Sequence, residues 1–171
     1  GITLMTPLGL LGALTHMVFH AIMKISSFFC AGAVMQQSGK TDVKDLEGMG
    51  RKMPFTFVCF AVASLSLMGM PPLIGFISKY NLATAAISNG GWLSYLTVAA
   101  LFISSILVAI YMLTIVIRAF FPRYGIVVAK TSDPGIMMKI PITIFTVLIF
   151  VVGVYSAPLI HFLTKVANGL V

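Results

Sequence analysis

Four apolar stretches divide this sequence, and each approaches or exceeds the about 20 residues that a helix needs to cross a bilayer's hydrocarbon core. The first runs from about Pro7 to Gln36. The second begins at Met53, is interrupted by GMPPLIG at residues 69–75, and resumes as FISKYNLATAAIS. The third runs from about Trp92 to Phe120, and the fourth from about Ile140 to Phe162. Composition agrees: 59% of residues are hydrophobic and 9% charged, with a mean hydropathy of +1.06, whereas soluble domains carry about 25% charged residues. The expected fold is all-α, a polytopic transmembrane helical bundle of about four crossings, one of them discontinuous. Residues 1–171 are expected to form a single transmembrane domain. The opening GITLMTPLG has neither an initiator Met nor a basic leader, so Gly1 is not expected to be the natural beginning and the chain is expected to be a fragment.

Charge decides whether the stretch from 53 to 88 crosses once or twice. Its second part, residues 73–88, is short for a full span. A single broken crossing puts the Lys/Arg-rich loops around 38–52 and 118–139 on one side, and the uncharged SNGG on the other. Two crossings would put the basic loops on opposite sides, against the tendency of Lys and Arg to stay in the cytoplasm. One broken crossing is therefore expected. Pro71 and Pro72 supply no amide hydrogen and clash with the preceding turn, while Gly69 and Gly75 tolerate unwound backbone. Backbone freed at membrane depth must be satisfied by protein or water, so a break here belongs beside a cavity or pathway.

All four acids lie in loops, three of them (Asp42, Asp45, Glu47) in QQSGKTDVKDLEGMGRK. Two lysines, Lys24 and Lys79, do not. A lysine at the centre of a span costs about 2.5–3.5 kcal/mol on insertion scales and marks a functional site by default. Snorkelling accounts for Arg118 and Lys165, each close to a span end, and fits Lys24 badly, because apolar residues separate it from the polar loop. In HMVFHAIMK, His16, His20 and Lys24 recur every four residues and so stack on one helix face as a column about 12 Å long. Imidazole titrates near neutrality and burial disfavours a charged ammonium, so such a column can pass protons through intervening waters. A lone helix histidine is more often a hydrogen-bonded structural group; three protonatable groups in register favour a proton relay. The His16/His20 spacing resembles HExxH, but no Glu lies between them and no third ligand is evident, so a metal is the weaker reading. Sodium would want oxygen ligands, and no carboxylate sits at membrane depth.

The net charge of +7 lies mostly in loops flanking the spans, without the basic-aromatic surface that nucleic acid would need. Cys30 and Cys59 fall within apolar spans and read as packing residues. No cofactor site is visible in the chain.

The elements HMVFHAIMKISSFFCAGAV, GKTDVKDLEGMGRKMPFTF and GMPPLIGFISK, in that order, resemble a known family: the antiporter-like membrane subunits of respiratory complex I, membrane-bound hydrogenases and Mrp-type Na⁺/H⁺ antiporters. The match covers about residues 10–90, and the last two spans agree only in hydropathy. The resemblance implies that Lys24 is the central-channel lysine, Lys79 the lysine of the broken helix, and His16 and His20 the relay between them. It implies a fold of about fourteen helices in two inverted repeats, of which the last four are present here, so that residues 1–171 would be the C-terminal part of a larger subunit, or a split one. It further implies proton translocation in a prokaryotic cytoplasmic membrane, beside other membrane subunits that handle any redox chemistry or Na⁺. Some family members place an acid directly after the broken-helix lysine; here that residue is Tyr80. A redox-driven pump, a Mrp-type antiporter and a non-transporting structural subunit all remain open at this point.

Overall fold

The computed structural model describes residues 6–122 and 131–170; the opening five residues and the 123–130 part of the second basic loop lie outside it. Helix α1 (Pro7–Ser38) starts where Thr6 accepts from the Gly9 amide at 3.1 Å and Pro7 occupies the first helical position, a site where a missing amide costs nothing. Two short 3-10 turns, Val43–Leu46 and Met49–Arg51, carry the polar loop. Then come α2 (Pro54–Met68), α3 (Ile74–Asn89), α4 (Trp92–Phe120), α5 (Ile136–Val154) and α6 (Ala157–Leu170). Among the described residues there is no strand. Helices α1, α4 and α5 are each long and apolar enough to cross a membrane, and α2 is a shorter apolar helix.

The broken crossing is real. Along α1, Cys30 packs with Cys59, Met23 meets Ser66, His16 meets Ser78, and Gly12 lies against Leu82. The partner's number rises as the α1 number falls, without reversal, so α2 and α3 run in one direction as two pieces of one span. The described parts of the two basic loops meet at one end of the bundle: the Gly48 amide donates to the Arg118 carbonyl (3.1 Å) and the Arg51 Nε to the Phe120 carbonyl (3.2 Å).

The last span differs from expectation. Instead of one helix from Ile140 to Phe162, α5 starts at Ile136 and stops at Val154, and α6 begins at Ala157. The reason is Pro158: in a continuous helix its ring would collide with the Val154 carbonyl and leave that carbonyl without a donor. At the second position of a new helix, neither penalty applies.

Five helices meet at the level of the α2/α3 break, where Phe19, Met23, Leu67, Ile74, Met112 and Ile149 form the largest buried cluster. In lipid such association rests on van der Waals packing, which small residues promote by letting backbones approach. A second cluster, with Met49, Met53, Phe57 and Ala119, closes the loop-bearing end. Helix α4 leaves most of its surface uncovered by the rest of the chain.

Candidate functional site

Every α-helix ends with four carbonyls that have no partner within it, and the end of α2 shows where each of its four goes. The Met70 amide donates to Leu65 O (3.1 Å) and the Gly69 amide to Ser66 O (3.0 Å), with Gly69 at φ 95°. This pattern is the Schellman motif, whose left-handed residue is normally glycine. The other two, Leu67 O and Met68 O, each accept from the Lys79 ammonium at 2.9 Å. Lys79 Nζ gives its third hydrogen bond to Ser105 Oγ on α4, at 2.6 Å. Three acceptors thus match the three hydrogens of an ammonium, and the cation sits at the negative end of the α2 dipole.

Three features of the local sequence bring Lys79 there. Pro71 and Pro72 supply no amide, so the chain turns through residues 70–73, closed by the Leu73 amide on Met70 O at 3.0 Å. Helix α3 then restarts alongside the last turn of α2, with the Gly75 amide donating to Ser66 Oγ at 3.2 Å. At Gly75 the approach is so close that a Cβ would overlap the Ser66 carbonyl oxygen. One turn later, Lys79 faces back across the break. Beside it lies a part-open cavity of about 260 Å³, lined by Gly69, Phe76, Lys79, Tyr80, Phe102 and Ser105 among others. The break has the adjoining cavity expected from its freed backbone.

The histidine column is present on α1. The His16 and His20 rings stand 5.4 Å apart, tilted by 36°. His16 Nδ1 lies 3.1 Å from Ser78 Oγ, and that hydroxyl donates to Gly75 O at 3.1 Å. A hydroxyl already donating to a carbonyl must accept from the ring, so this network places the His16 proton on Nδ1 and leaves Nε2 as the free position. His16 is within electrostatic reach of His20 and Lys79, and His20 of both Lys24 and Lys79. Among the described residues Lys24 makes no hydrogen bond or ion pair; it is half-buried on the same side of α1. The column therefore meets the broken helix through His16 and Ser78, and both histidines lie within electrostatic reach of Lys79.

Ser78, Ser105 and the carbonyls of Leu67 and Met68 are site groups that sequence reasoning missed. A signal existed for Ser105, which with Ser104 forms a polar pair within the apolar run of α4. The carbonyls carry no residue-type signal at all. Among the described residues, no group of three or more His, Cys, Asp or Glu is placed to hold a metal ion. Cys30 and Cys59 are buried free thiols in an apolar cluster with Ala33 and Ile142.

Known proteins share this arrangement of elements. NADH-quinone oxidoreductase subunit N of Desulforudis audaxviator is 33% identical over 94% of the chain. A Na⁺/H⁺ antiporter subunit of Alkalihalophilus pseudofirmus is 28% identical over 99% of it. The chain spans 34% of the length of each of these relatives. In the solved Mrp complex from Dietzia sp., a chain superposes with a TM-score of 0.82 at 21% identity, over 96% of this chain and 38% of that one; at that identity the likeness speaks for the fold. Residues 1–107, which hold the His column, the polar loop and both halves of the broken helix, match the family described as NADH:quinone oxidoreductase/Mrp antiporter, TM. The chain is an integral membrane protein, an antiporter-like segment belonging to that family.

Proposed function

We propose that this chain is the proton-translocating portion of an antiporter-like subunit in a redox-driven ion pump of a prokaryotic cytoplasmic membrane. Lys79 serves as the proton carrier, and Lys24, His20 and His16 as the relay that feeds it. The observation that carries this reading is the Lys79 ammonium held on two helix-end carbonyls and a hydroxyl, beside a cavity. None of these acceptors is a carboxylate, so release of a proton leaves no buried counter-charge behind. A neutral amine has two hydrogens and one lone pair. The carbonyls are fixed by α2, whereas the Ser105 hydroxyl, which donates to Leu101 O at 2.8 Å, can rotate to donate to the amine instead. The three contacts survive both protonation states with one hydroxyl rotation.

Partner membrane subunits supply any electron transfer or Na⁺ passage, and this chain binds no cofactor of its own. The redox setting is favoured by the higher identity to the quinone oxidoreductase subunit, 33% against 28%. A Mrp-type setting is the second reading, supported by the 28% identity, over 99% of this chain, to a Na⁺/H⁺ antiporter subunit. Co-purification separates them: a peripheral iron–sulfur arm selects the redox pump.

The test of the carrier role is Lys79→Arg, because guanidinium keeps the positive charge and effectively cannot deprotonate. Proton pumping in proteoliposomes, normalised to assembled complex, should be lost. Pumping at the wild-type rate would remove Lys79 from the mechanism and leave a structural role for the segment.

A further inference from the structure

Helix α2 is held at both ends by charge, and the end away from Lys79 is held from a distant part of the chain. Its own N-cap residue, Met53, offers no side-chain acceptor. Asp133, in the segment leading into α5, takes that place: its carboxylate accepts from the Phe55 amide (3.3 Å), the Thr56 amide (3.2 Å) and the Thr56 hydroxyl (3.0 Å). Lys139, one turn into α5, lies over the Phe55 ring at 5.5 Å from its centroid, so two side chains of the α5 entry grip the first turn of α2. An anion at the N-terminus and a cation at the C-terminus are the two placements that a helix dipole favours.

The geometry points to Asp133 as a positioning residue for the proton site: by clamping the first turn of α2, it sets where the carbonyls of Leu67 and Met68 stand beneath Lys79. Helix α2 has 15 residues and is therefore about 22 Å long, a single stiff rod. Between the clamped ends its contacts with α1, through Cys59, Ala63 and Leu67, are apolar; the one directional contact with α1, from the Ser66 hydroxyl to Met23 Sδ at 3.0 Å, lies in the last turn, at the Lys79 end. The directional contacts at its ends fix its axial position. A Lys79 bond is sensitive to that position, because N–H···O bonds fade beyond about 3.2 Å and these start at 2.9 Å. The inference rests on the carrier role of Lys79. It adds that the linker between α4 and α5, on the basic end of the bundle, bears on a site half a membrane away.

The test uses Asp133→Ala and Asp133→Asn in the assembled complex, read by amide hydrogen exchange and by pumping. Loss of an N-cap acceptor corresponds to about two- to thirtyfold in the local equilibrium. Asp133→Ala should raise exchange at residues 55–58 and also at 67–70, and slow pumping per assembled complex by about tenfold. Asp133→Asn keeps one acceptor oxygen for Thr56 and should give a smaller change at both places. Exchange that rises only at 55–58 would show local fraying and overturn the inference, as would increased exchange at 67–70 with normal pumping. Should Asp133→Ala fail to assemble, Asp133→Asn carries the test by the same criteria. The exchange readout does not depend on what Lys79 does, so a failure of the carrier reading in Lys79→Arg remains distinguishable from a failure here.

Discussion

Replacing Gly75 with alanine tests the geometry of the break at its tightest point. The added methyl would overlap the Ser66 carbonyl oxygen, and would lie 2.7 Å from the Ser66 carbonyl carbon and 3.1 Å from Met23 Sδ. Ordinary carbon contacts begin at about 3.5 Å, so the first turn of α3 must withdraw by roughly 1 Å or more. Lys79 is four residues further along the same helix and moves with it. Its 2.9 Å bonds to Leu67 O and Met68 O would open to roughly 3.9 Å, outside hydrogen-bond range. Overpacking of this kind costs about 1–3 kcal/mol, and each lost bond to a charged group about 1.5–3 kcal/mol. The gain in helix propensity, about 1 kcal/mol, does not offset these. Loss of even one such bond corresponds to about tenfold or more in a rate that depends on it. Pumping by reconstituted, assembled complex should therefore fall at least about tenfold. Gly169→Ala, in α6, is the control, since nothing lies within 4 Å of a methyl there, and it should be silent. A Gly75→Ala variant that assembles and pumps within about twofold of wild type would show that α3's approach to α2 does not set the Lys79 site.

Ser105→Ala removes the shortest contact to Lys79, 2.6 Å, and should slow pumping by about tenfold, while Ser105→Thr, which keeps the hydroxyl, should retain most of it; equal rates for the two variants in a proteoliposome acidification assay would refute the hydroxyl's role. Single cysteines at Ser38, Asn89 and Ser132, in a background lacking Cys30 and Cys59, should label with an impermeant thiol reagent from one face for Ser38 and Ser132 and from the other for Asn89. Labelling of Ser38 and Ser132 from opposite faces would refute the single broken crossing.

How much of this was legible in the sequence follows from which interactions are local. The α2/α3 break could be read because the cause, two prolines between glycines, lies within the break itself. Lys79 could be read because an ammonium in an apolar run has few cheap explanations. The α5/α6 break was local too, yet apolar residues continue through Ala157, Leu159 and Ile160, and the hydropathy obscured the single Pro158. The partners of Lys79 were out of reach. Ser105 is one of several hydroxyls in α4, most of which bond back to their own helix, as Thr97 does to Leu93 O and Thr114 to Ile110 O. Only the packing of α3 against α4 distinguishes it. Asp133 looked like a loop acid because its partners, Phe55 and Thr56, are more than seventy residues away.

The choice of acceptors around Lys79 bears on how such a site can turn over. An ammonium paired with a buried carboxylate would be held well, but losing its proton would strand a full negative charge, and breaking a buried pair costs about 3–5 kcal/mol. The end of a half-helix offers about half an elementary charge, spread over carbonyl dipoles. That is enough to receive an ammonium, and it remains a set of neutral groups once the proton has gone. In an unbroken helix these carbonyls would be bonded to the next turn. The break thus does two things at once: it frees Leu67 O and Met68 O as acceptors, and it brings α3 back beside them so that Lys79 can reach. Gly69 and Gly75 make the first and second of these possible, and, on the proposed carrier role, Ser105 supplies the one contact of the three able to reverse its direction on release of a proton.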